Sequence, residues 1–344
     1  MQVRENVPLA PLTTFGIGGA ARWLTEAGSE EEVAEAVRWT RERQARLFVL
    51  GGGSNLLVSD AGFDGLVLQM SLKGLAQHGA QFRVAAGEDW DGVVTVATER
   101  GYQGIECLAG IPGTVGGTPV QNVGAYGQEV STSIERVRAF DIEELRFLEF
   151  NCHECGFGYR KSRFNGVDRG RYIVTRVDYK LKQGAAPQLT YADLKLHFRN
   201  RESGPALSEV AAAVRKIRQS KGMLFVEGEA DCRSAGSFFK NPEVSAETVA
   251  EVRKHVVGGG FSLRVFPVAN GMVKVPAAWL IEHAGFSRGY TRGPVGISTR
   301  HTLALTNRGG ARAEDILALA EEIRAGVETK FGIRLEMEPV RLGF

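Results

Sequence analysis

Four cysteines in 344 residues are too few for a disulfide framework. One pair, Cys152 and Cys155, has the CxxC spacing, but a zinc site needs a second pair of ligands. Cys107 and Cys232 stand alone and no HxxxH follows, so reduced structural thiols and no metal are expected. Neither sign of charge is in excess. Lys+Arg number 42 against Asp+Glu 40, a net charge of +2. That balance excludes the strongly basic surface of a nucleic-acid or membrane-surface protein. No apolar run approaches the ~20 residues of a membrane span. The start, Met1-Gln2-Val3-Arg4-Glu5-Asn6, lacks the basic-then-apolar order of a leader peptide. A cytoplasmic protein without membrane or nucleic-acid partners is expected. Internal repeats and low-complexity tracts are absent too.

Glycine is what the chain has in excess. Its 43 glycines are about one residue in eight, against an average near ~7%. They cluster at Gly16 to Gly19, Gly51 to Gly53, Gly110 to Gly127 and Gly258 to Gly260. Glycine permits positive φ and lets a backbone approach a ligand closely. Several such loops within the first 130 residues point to a phosphate-bearing cofactor. The length suggests two or three domains.

Local patterns place these loops. Ser29-Glu30-Glu31-Glu32 reads as a capping box before a helix reaching about Gln44, with Val33, Ala36, Val37 and Thr40 on one face. Leu47 to Leu50 is a short buried strand that runs straight into Gly51-Gly52-Gly53-Ser54-Asn55, and Leu66 to Met70 is a second strand. Phe82 to Ala86 is a strand, and Asp89 or Asp91 caps a helix ending at Gly101. The stretch 110–127 is too rich in Gly and Pro for regular structure and reads as a long ordered loop. Alternating segments at Val137 to Phe140, Arg146 to Phe150 and Tyr172 to Leu181 suggest an antiparallel sheet. Helices are expected at Pro205 to Arg218, Ser245 to Val257, Pro276 to Ala284 and Ala313 to Phe331, with a strand at Leu303 to Thr306. A linker is expected near Gln219 to Asp231.

The Gly51 to Asn55 loop can form an anion-binding nest of backbone N–H groups, with Ser54 and Asn55 as added donors. It is neither a Rossmann fingerprint nor a P-loop, because no helix and no Gly-Lys-Ser/Thr follows. A plain glycine turn accounts for it equally well. The run Gly110 to Gly127 is more specific. Its near-absence of charge sets it apart from a solvated linker and suits a loop wrapped around something flat and partly polar. A third run, Ala235-Gly236-Ser237-Phe238-Phe239-Lys240-Asn241-Pro242, sets a hydroxyl, an ammonium and a carboxamide within five positions. It reads as a site meeting a polar substrate or, equally, as a bulged strand end with a Ser turn.

Taken in order and spacing, these motifs resemble one flavoenzyme family. They are Thr14-Phe15-Gly16-Ile17-Gly18-Gly19, the Gly-Gly-Gly-Ser-Asn loop, Ile111 to Gly127, Phe157-Gly158-Tyr159-Arg160-Lys161-Ser162 and the Ala235 to Pro242 run. The family is UDP-N-acetylenolpyruvoylglucosamine reductase, and the resemblance covers Leu12 to Arg341. It implies an α+β chain with an FAD-binding fold of the PCMH/vanillyl-alcohol-oxidase type in two subdomains, followed by a C-terminal α/β substrate-binding domain. The corresponding division is 1–70, 71–220 and 221–337, with 338–344 returning to the first part.

The resemblance also implies residue roles. Gly52, Gly53, Ser54, Asn55, Gly113, Thr114 and Thr118 would hold the FAD pyrophosphate, and Asn122, Ala125 and Tyr126 would lie near the rest of the cofactor. Neither glycine loop carries a His for a covalent link, so FAD is expected to be held non-covalently, with NADPH as co-substrate. Arg160 matches the family's catalytic arginine and Ser237 its proton donor. The catalytic glutamate is Glu338 when Leu335-Glu336-Met337-Glu338-Pro339-Val340-Arg341 is aligned without a gap, and Glu336 is the alternative. Tyr191, Lys221, Asn241 and Lys274 match substrate contacts. Ser298-Thr299-Arg300-His301 departs from the tyrosine-loop subset that Tyr191 suggests, which leaves the subtype open. The implied reaction is reduction of UDP-N-acetylglucosamine enolpyruvate, with hydride from flavin N5 to C3 and a proton from Ser237 to C2, by a monomer. Another FAD oxidoreductase of lactone or alcohol oxidase type, or a non-catalytic nucleotide-binding protein, would share the glycine loops but would not need the Ser237 run.

Overall fold

A computed structural model describes residues 1–255 and 263–344; the Gly258 to Gly260 cluster and the expected helix end at Val257 lie outside the described residues. The chain divides into two units. The first comprises Met1–Val7, Ala21–Gly53 and Phe63–Gln219, and the second Pro8–Ala20, Ser54–Gly62 and Ser220–Phe344. The C-terminal segment belongs to the second unit, where strand Val340–Leu342 pairs in parallel with Leu56–Val58.

In the first unit a four-stranded sheet has the order Arg4–Pro8, Ala20–Ala27, Phe63–Met70, Leu47–Leu50. The last three pair in parallel. Helix Glu30–Glu42 starts where the capping signal places it, with the Ser29 side chain accepting from the Glu32 N–H. Its buried face is Val33, Ala34, Ala36, Val37 and Thr40. The expected antiparallel sheet has five strands in the order Arg146–Asn151, Ile134–Asp141, Tyr172–Lys180, Gln81–Ala85, Leu75–His78. Tyr179 of this sheet and Trp90 are in ring contact and fully buried in one continuous apolar core. Asp89 caps helix Trp90–Glu99 by accepting from the Gly92 N–H.

The second unit has its own core around helices Ala246–Lys254, Ala277–His283 and Ala313–Phe331. Phe15, Ile17 and Leu57, remote in sequence, are buried in it. The cap of its longest helix is tertiary. The Asp60 carboxylate accepts from the Ala313 N–H at 2.8 Å and the Glu314 N–H at 3.2 Å, which satisfies two orphan donors and places a negative charge at the helix N-terminus.

Two local expectations are corrected. The 110–127 stretch holds a helical turn, Gly117–Val120, and a two-residue strand, Gly124–Ala125. The strand expected at Leu303 to Thr306 is Leu305–Asn307. Leu303 is drawn away because its carbonyl accepts from the Phe238 N–H, and Ala304 closes a turn onto His301.

Candidate active site

In the first unit the two glycine loops meet backbone to backbone. A Cβ on Gly52 would lie 2.6 Å from the Gly113 Cα, and one on Gly51 would lie 2.8 Å from the Thr114 Oγ1. Only residues without side chains allow this approach. The second loop rests on the Ala86–Trp90 segment. Gly116 N–H donates to the Ala86 carbonyl, Val115 N–H to Glu88, and Trp90 N–H to Gly113. At Gly117 a Cβ would meet nothing within 4 Å. The N–H groups of Val115, Gly116, Gly117 and Thr118 are all taken by backbone carbonyls, which fixes the loop's shape, and the open space at Gly117 fits the close approach of a cofactor such as FAD. Thr118 and Asn122 serve the loop itself. The Thr118 hydroxyl donates to the Val115 carbonyl and bonds the Tyr179 hydroxyl. The Asn122 carboxamide donates to Gly158 O and the Glu129 carboxylate and accepts from the Ser131 N–H. Ala125 pairs with Gln128.

Arg160 lies in this unit with φ +54°. Its Nη2 donates to the Gly124 carbonyl at 2.9 Å, tying the guanidinium to the second glycine loop. Tyr126, also at positive φ, meets Tyr191 edge to face with ring centroids 5.2 Å apart. Tyr191 is 41% exposed, open to a ligand.

One charged neighbour was missed from sequence. Arg218 is buried, and its Nε donates to the Gly110 carbonyl at 2.9 Å. Burial lowers its pKa; Tyr126 and Asp91 oppose that shift and the Arg160 charge adds to it. A signal was present. On helix Leu207–Ser220, Arg218 falls at helical spacing after Leu207, Val210 and Val214, on the apolar stripe where a charge is out of place.

The second unit collects the remaining residues. Gly236, at φ +69°, turns the chain just before Ser237. The following residues pair antiparallel with the C-terminal segment. Glu338 N–H donates to Phe238 O, Lys240 N–H donates to Glu336 O, and Phe239 faces Met337. Ser237 and Glu338 are thereby brought to one end of a short two-stranded ladder. Asn55 joins from the glycine loop. Its carbonyl accepts from the Val340 N–H at 3.0 Å and its Nδ2 donates to Glu338 O at 3.4 Å. Ser54 follows, since Thr14 Oγ1 bonds both Ser234 O at 2.6 Å and Ser54 O at 3.4 Å. The Gly-Gly-Gly-Ser-Asn loop therefore contributes Gly52 and Gly53 to the first unit and Ser54 and Asn55 to the second.

Asn241 Oδ1 accepts from the Ala277 N–H, at the start of helix Ala277–His283. Lys274 pairs across strands with Glu243, Nζ to carboxylate 3.8 Å. Lys221 is half-buried beside Gly222, whose Cβ position is crowded by Asp231, Ser298 and Arg300. Lys240, conspicuous in sequence, places its ammonium 2.5 Å from the Glu336 carboxylate. The CxxC pair lies on a 3-10 turn with the Cys155 thiol pushed up to about 12 by burial, foremost, and by Cys152. Such a thiol is protonated and inert near neutral pH. Among the described residues no cluster of His, Cys, Asp and Glu is suited to a metal.

Comparison with known proteins identifies relatives along the whole chain. Residues 228–342 match the family described as UDP-N-acetylenolpyruvoylglucosamine reductase, C-terminal domain, and residues 21–143 match FAD binding domain. A UDP-N-acetylenolpyruvoylglucosamine reductase from Streptomyces coelicolor is 45% identical over 100% of this chain and 91% of its own length. The protein of that name from Thermobifida fusca is 45% identical over 98% of each chain. The crystal structure of UDP-N-acetylenolpyruvylglucosamine reductase (MurB) from Thermus caldophilus superposes with a TM-score of 0.69 at 28% identity, covering 99% of both chains.

Proposed function

Since the chain belongs to the UDP-N-acetylenolpyruvoylglucosamine reductase family, we propose that Arg160, Ser237 and Glu338 carry its chemistry. The chain is an FAD-dependent oxidoreductase that uses NADPH to reduce UDP-N-acetylglucosamine enolpyruvate to UDP-N-acetylmuramate, a step of peptidoglycan precursor synthesis. FAD, held by the glycine-loop residues named below, would supply the hydride chemistry that carries reducing equivalents from NADPH to C3 of the enolpyruvyl group.

The vinyl carbon accepts hydride only if the adjacent carboxylate can take up the developing charge. Arg160 meets that carboxylate with a planar, permanently charged guanidinium suited to a two-point contact. Two carboxylates repel, so Glu338 assists by hydrogen bonding either as its protonated form or beside a cation. Ser237 then donates a proton to C2. A serine hydroxyl is a weak acid and serves against a strongly basic carbanion when neighbours help. The observation carrying this reading is the ladder joining Phe238 to Glu338, which supports a shared site for Ser237 and the C-terminal glutamate.

Gly52, Gly53, Ser54, Asn55, Gly113, Thr114, Ala125 and Tyr126 would hold FAD non-covalently, with Thr118 and Asn122 keeping the loop in shape. Tyr191, Lys221, Asn241 and Lys274 would contact the substrate. We assign the cofactor to 1–70 and 71–220 and the substrate to 221–337, with 338–344 returning to the 1–70 segment where Val340–Leu342 pairs with Leu56–Val58. No helix among the described residues is long and apolar enough to cross a membrane, and we propose a cytoplasmic monomer. Light scattering that reads a dimer mass would overturn the oligomeric assignment. The main test is stopped-flow absorbance: NADPH alone bleaches the yellow protein, and the enolpyruvyl substrate restores the colour. Bleaching with no restoration would reject the substrate contacts and catalytic roles assigned here.

A further inference from the structure

Arg160 occupies a backbone conformation that a non-glycine residue rarely adopts. At φ +54° it lies in the left-handed region, where a side chain costs roughly 1–2 kcal/mol. Tyr159 and Arg160 form the centre of a tight turn closed on both sides, Gly158 N–H to Lys161 O at 3.0 Å and Lys161 N–H to Gly158 O at 3.1 Å. Strain of this kind persists only where the surroundings over-determine it, and it gathers at functional sites.

Two carboxamides hold this turn. Asn122 Nδ2 donates to the Gly158 carbonyl at 3.0 Å. Asn165 does more. Its Nδ2 donates to the Arg160 carbonyl at 3.1 Å, and its Oδ1 accepts from the Ser162 N–H at 2.9 Å. Ser162 is in turn anchored, its hydroxyl donating to Val120 O at 2.7 Å and accepting from the Phe164 N–H at 3.1 Å. One side chain thus bridges the residues before and after Lys161. Only a group that donates at one end and accepts at the other can do this. Aspartate would set a second acceptor against the Arg160 carbonyl, and alanine would leave both backbone groups to water.

We propose that Asn165 is a positioning residue for Arg160, its carboxamide fixing the left-handed turn from which the guanidinium reaches the Gly124 carbonyl and, in turn, the substrate carboxylate. The proposal rests on the reading of Arg160 as the group that meets that carboxylate. Its consequence is selective. Flavin reduction by NADPH does not need the guanidinium to be aimed at the enolpyruvyl group, whereas the second half-reaction does. A misplacement of about 1 Å can cost on the order of 10²-fold in rate.

The test measures the two half-reactions separately by stopped flow on the full-length, FAD-loaded protein, for Asn165→Ala, Asn165→Asp and Arg160→Lys, with flavin content and Tm recorded for each. The expected result for Asn165→Ala and Asn165→Asp is NADPH reduction within about 2-fold of the parent, reoxidation by the enolpyruvyl substrate slowed about 10–100-fold, and little change in KM for that substrate. Asn165→Gln, which keeps both groups on a longer stem, should recover part of the loss. If Arg160→Lys is slow and both the Ala and Asp variants of Asn165 match the parent, the positioning role is wrong while the reading of Arg160 stands. If Arg160→Lys matches the parent, the Arg160 reading fails and the proposal with it. Equal slowing of both half-reactions in the Asn165 variants would mean general structural damage and would also overturn it. Should Asn165→Ala not fold, Asn165→Asp keeps the Ser162 contact and decides on the same readout.

Discussion

The Glu338 N–H donates to the Phe238 carbonyl at 2.9 Å, which sets the C-terminal glutamate's backbone opposite the residue after Ser237. Two positions along the same ladder, the Lys240 N–H donates to Glu336 O. The Lys240 ammonium also pairs with the Glu336 carboxylate at 2.5 Å. Glu336 is therefore engaged by a lysine at an exposed edge, while Glu338 sits between Phe238 and Asn55.

That difference ranks the two candidate glutamates. Glu338→Ala, which removes the hydrogen-bonding group that a carboxamide would keep, should slow substrate-dependent flavin reoxidation by roughly 10²–10³-fold, the usual effect of losing one donor from a charge-stabilising site. Glu336→Ala should cost no more than an exposed ion pair, about 0.2–1 kcal/mol, and leave the rate within about tenfold. Single-turnover reoxidation of the NADPH-reduced protein measures both. The opposite ranking would transfer the assignment to Glu336.

Ser237→Ala should retain NADPH-dependent flavin reduction and lose the second half-reaction by about 10²–10⁴-fold, the range of a general acid. Comparable losses in both half-reactions would count against a proton-donor role.

The contact between the glycine loops makes two alanine substitutions informative. In Gly52→Ala the new Cβ would lie 2.6 Å from the Gly113 Cα. The loops must separate, at a typical cost of about 1–3 kcal/mol, so both Tm and flavin content should fall. In Gly117→Ala the new Cβ meets nothing within 4 Å. Its Tm without flavin should be unchanged while FAD affinity drops, as read by flavin titration. Unaltered FAD affinity in both variants would move the cofactor away from these loops.

Acid should weaken the first unit through carboxylates whose pKa is lowered on folding. Burial raises the Asp141 carboxyl, but the Arg171 guanidinium and the Glu143 and Glu144 amides outweigh it and the net shift is down. Glu149 is lowered chiefly by its Arg136 hydrogen bond. A group with a depressed folded pKa contributes stability that is complete above its unfolded value, about 4, and lost as pH falls through the folded value. Arg171→Gln should therefore lower Tm at neutral pH and flatten its decline between about pH 5 and 3. An unchanged slope would remove Asp141 from the account.

Much of this protein was legible before folding is considered, because the relevant forces act over a few residues. Ser29 and Asp89 mark helix starts through their own side chains. The apolar spacing of Ala313 to Phe331 bounds that helix at both ends. The order of motifs identified the family, and with it FAD and the reaction. Arg218 is not legible in this way, because what it serves, the Gly110 carbonyl, lies far from it along the chain.

What the sequence by itself determined, then, was which segments are helices, which loops must be glycine, and which residue types are available for the chemistry. Tertiary structure decided which of them meet. Gly52 packs on Gly113, Asp60 caps a helix that begins at Ala313, and Val340–Leu342 lies beside Leu56–Val58. It also divided one five-residue loop between two units and set Glu338 rather than Glu336 beside Asn55. These pairings join positions tens to hundreds of residues apart. They are selected by burial and hydrogen-bond satisfaction summed over a whole unit, and no local pattern encodes such a sum.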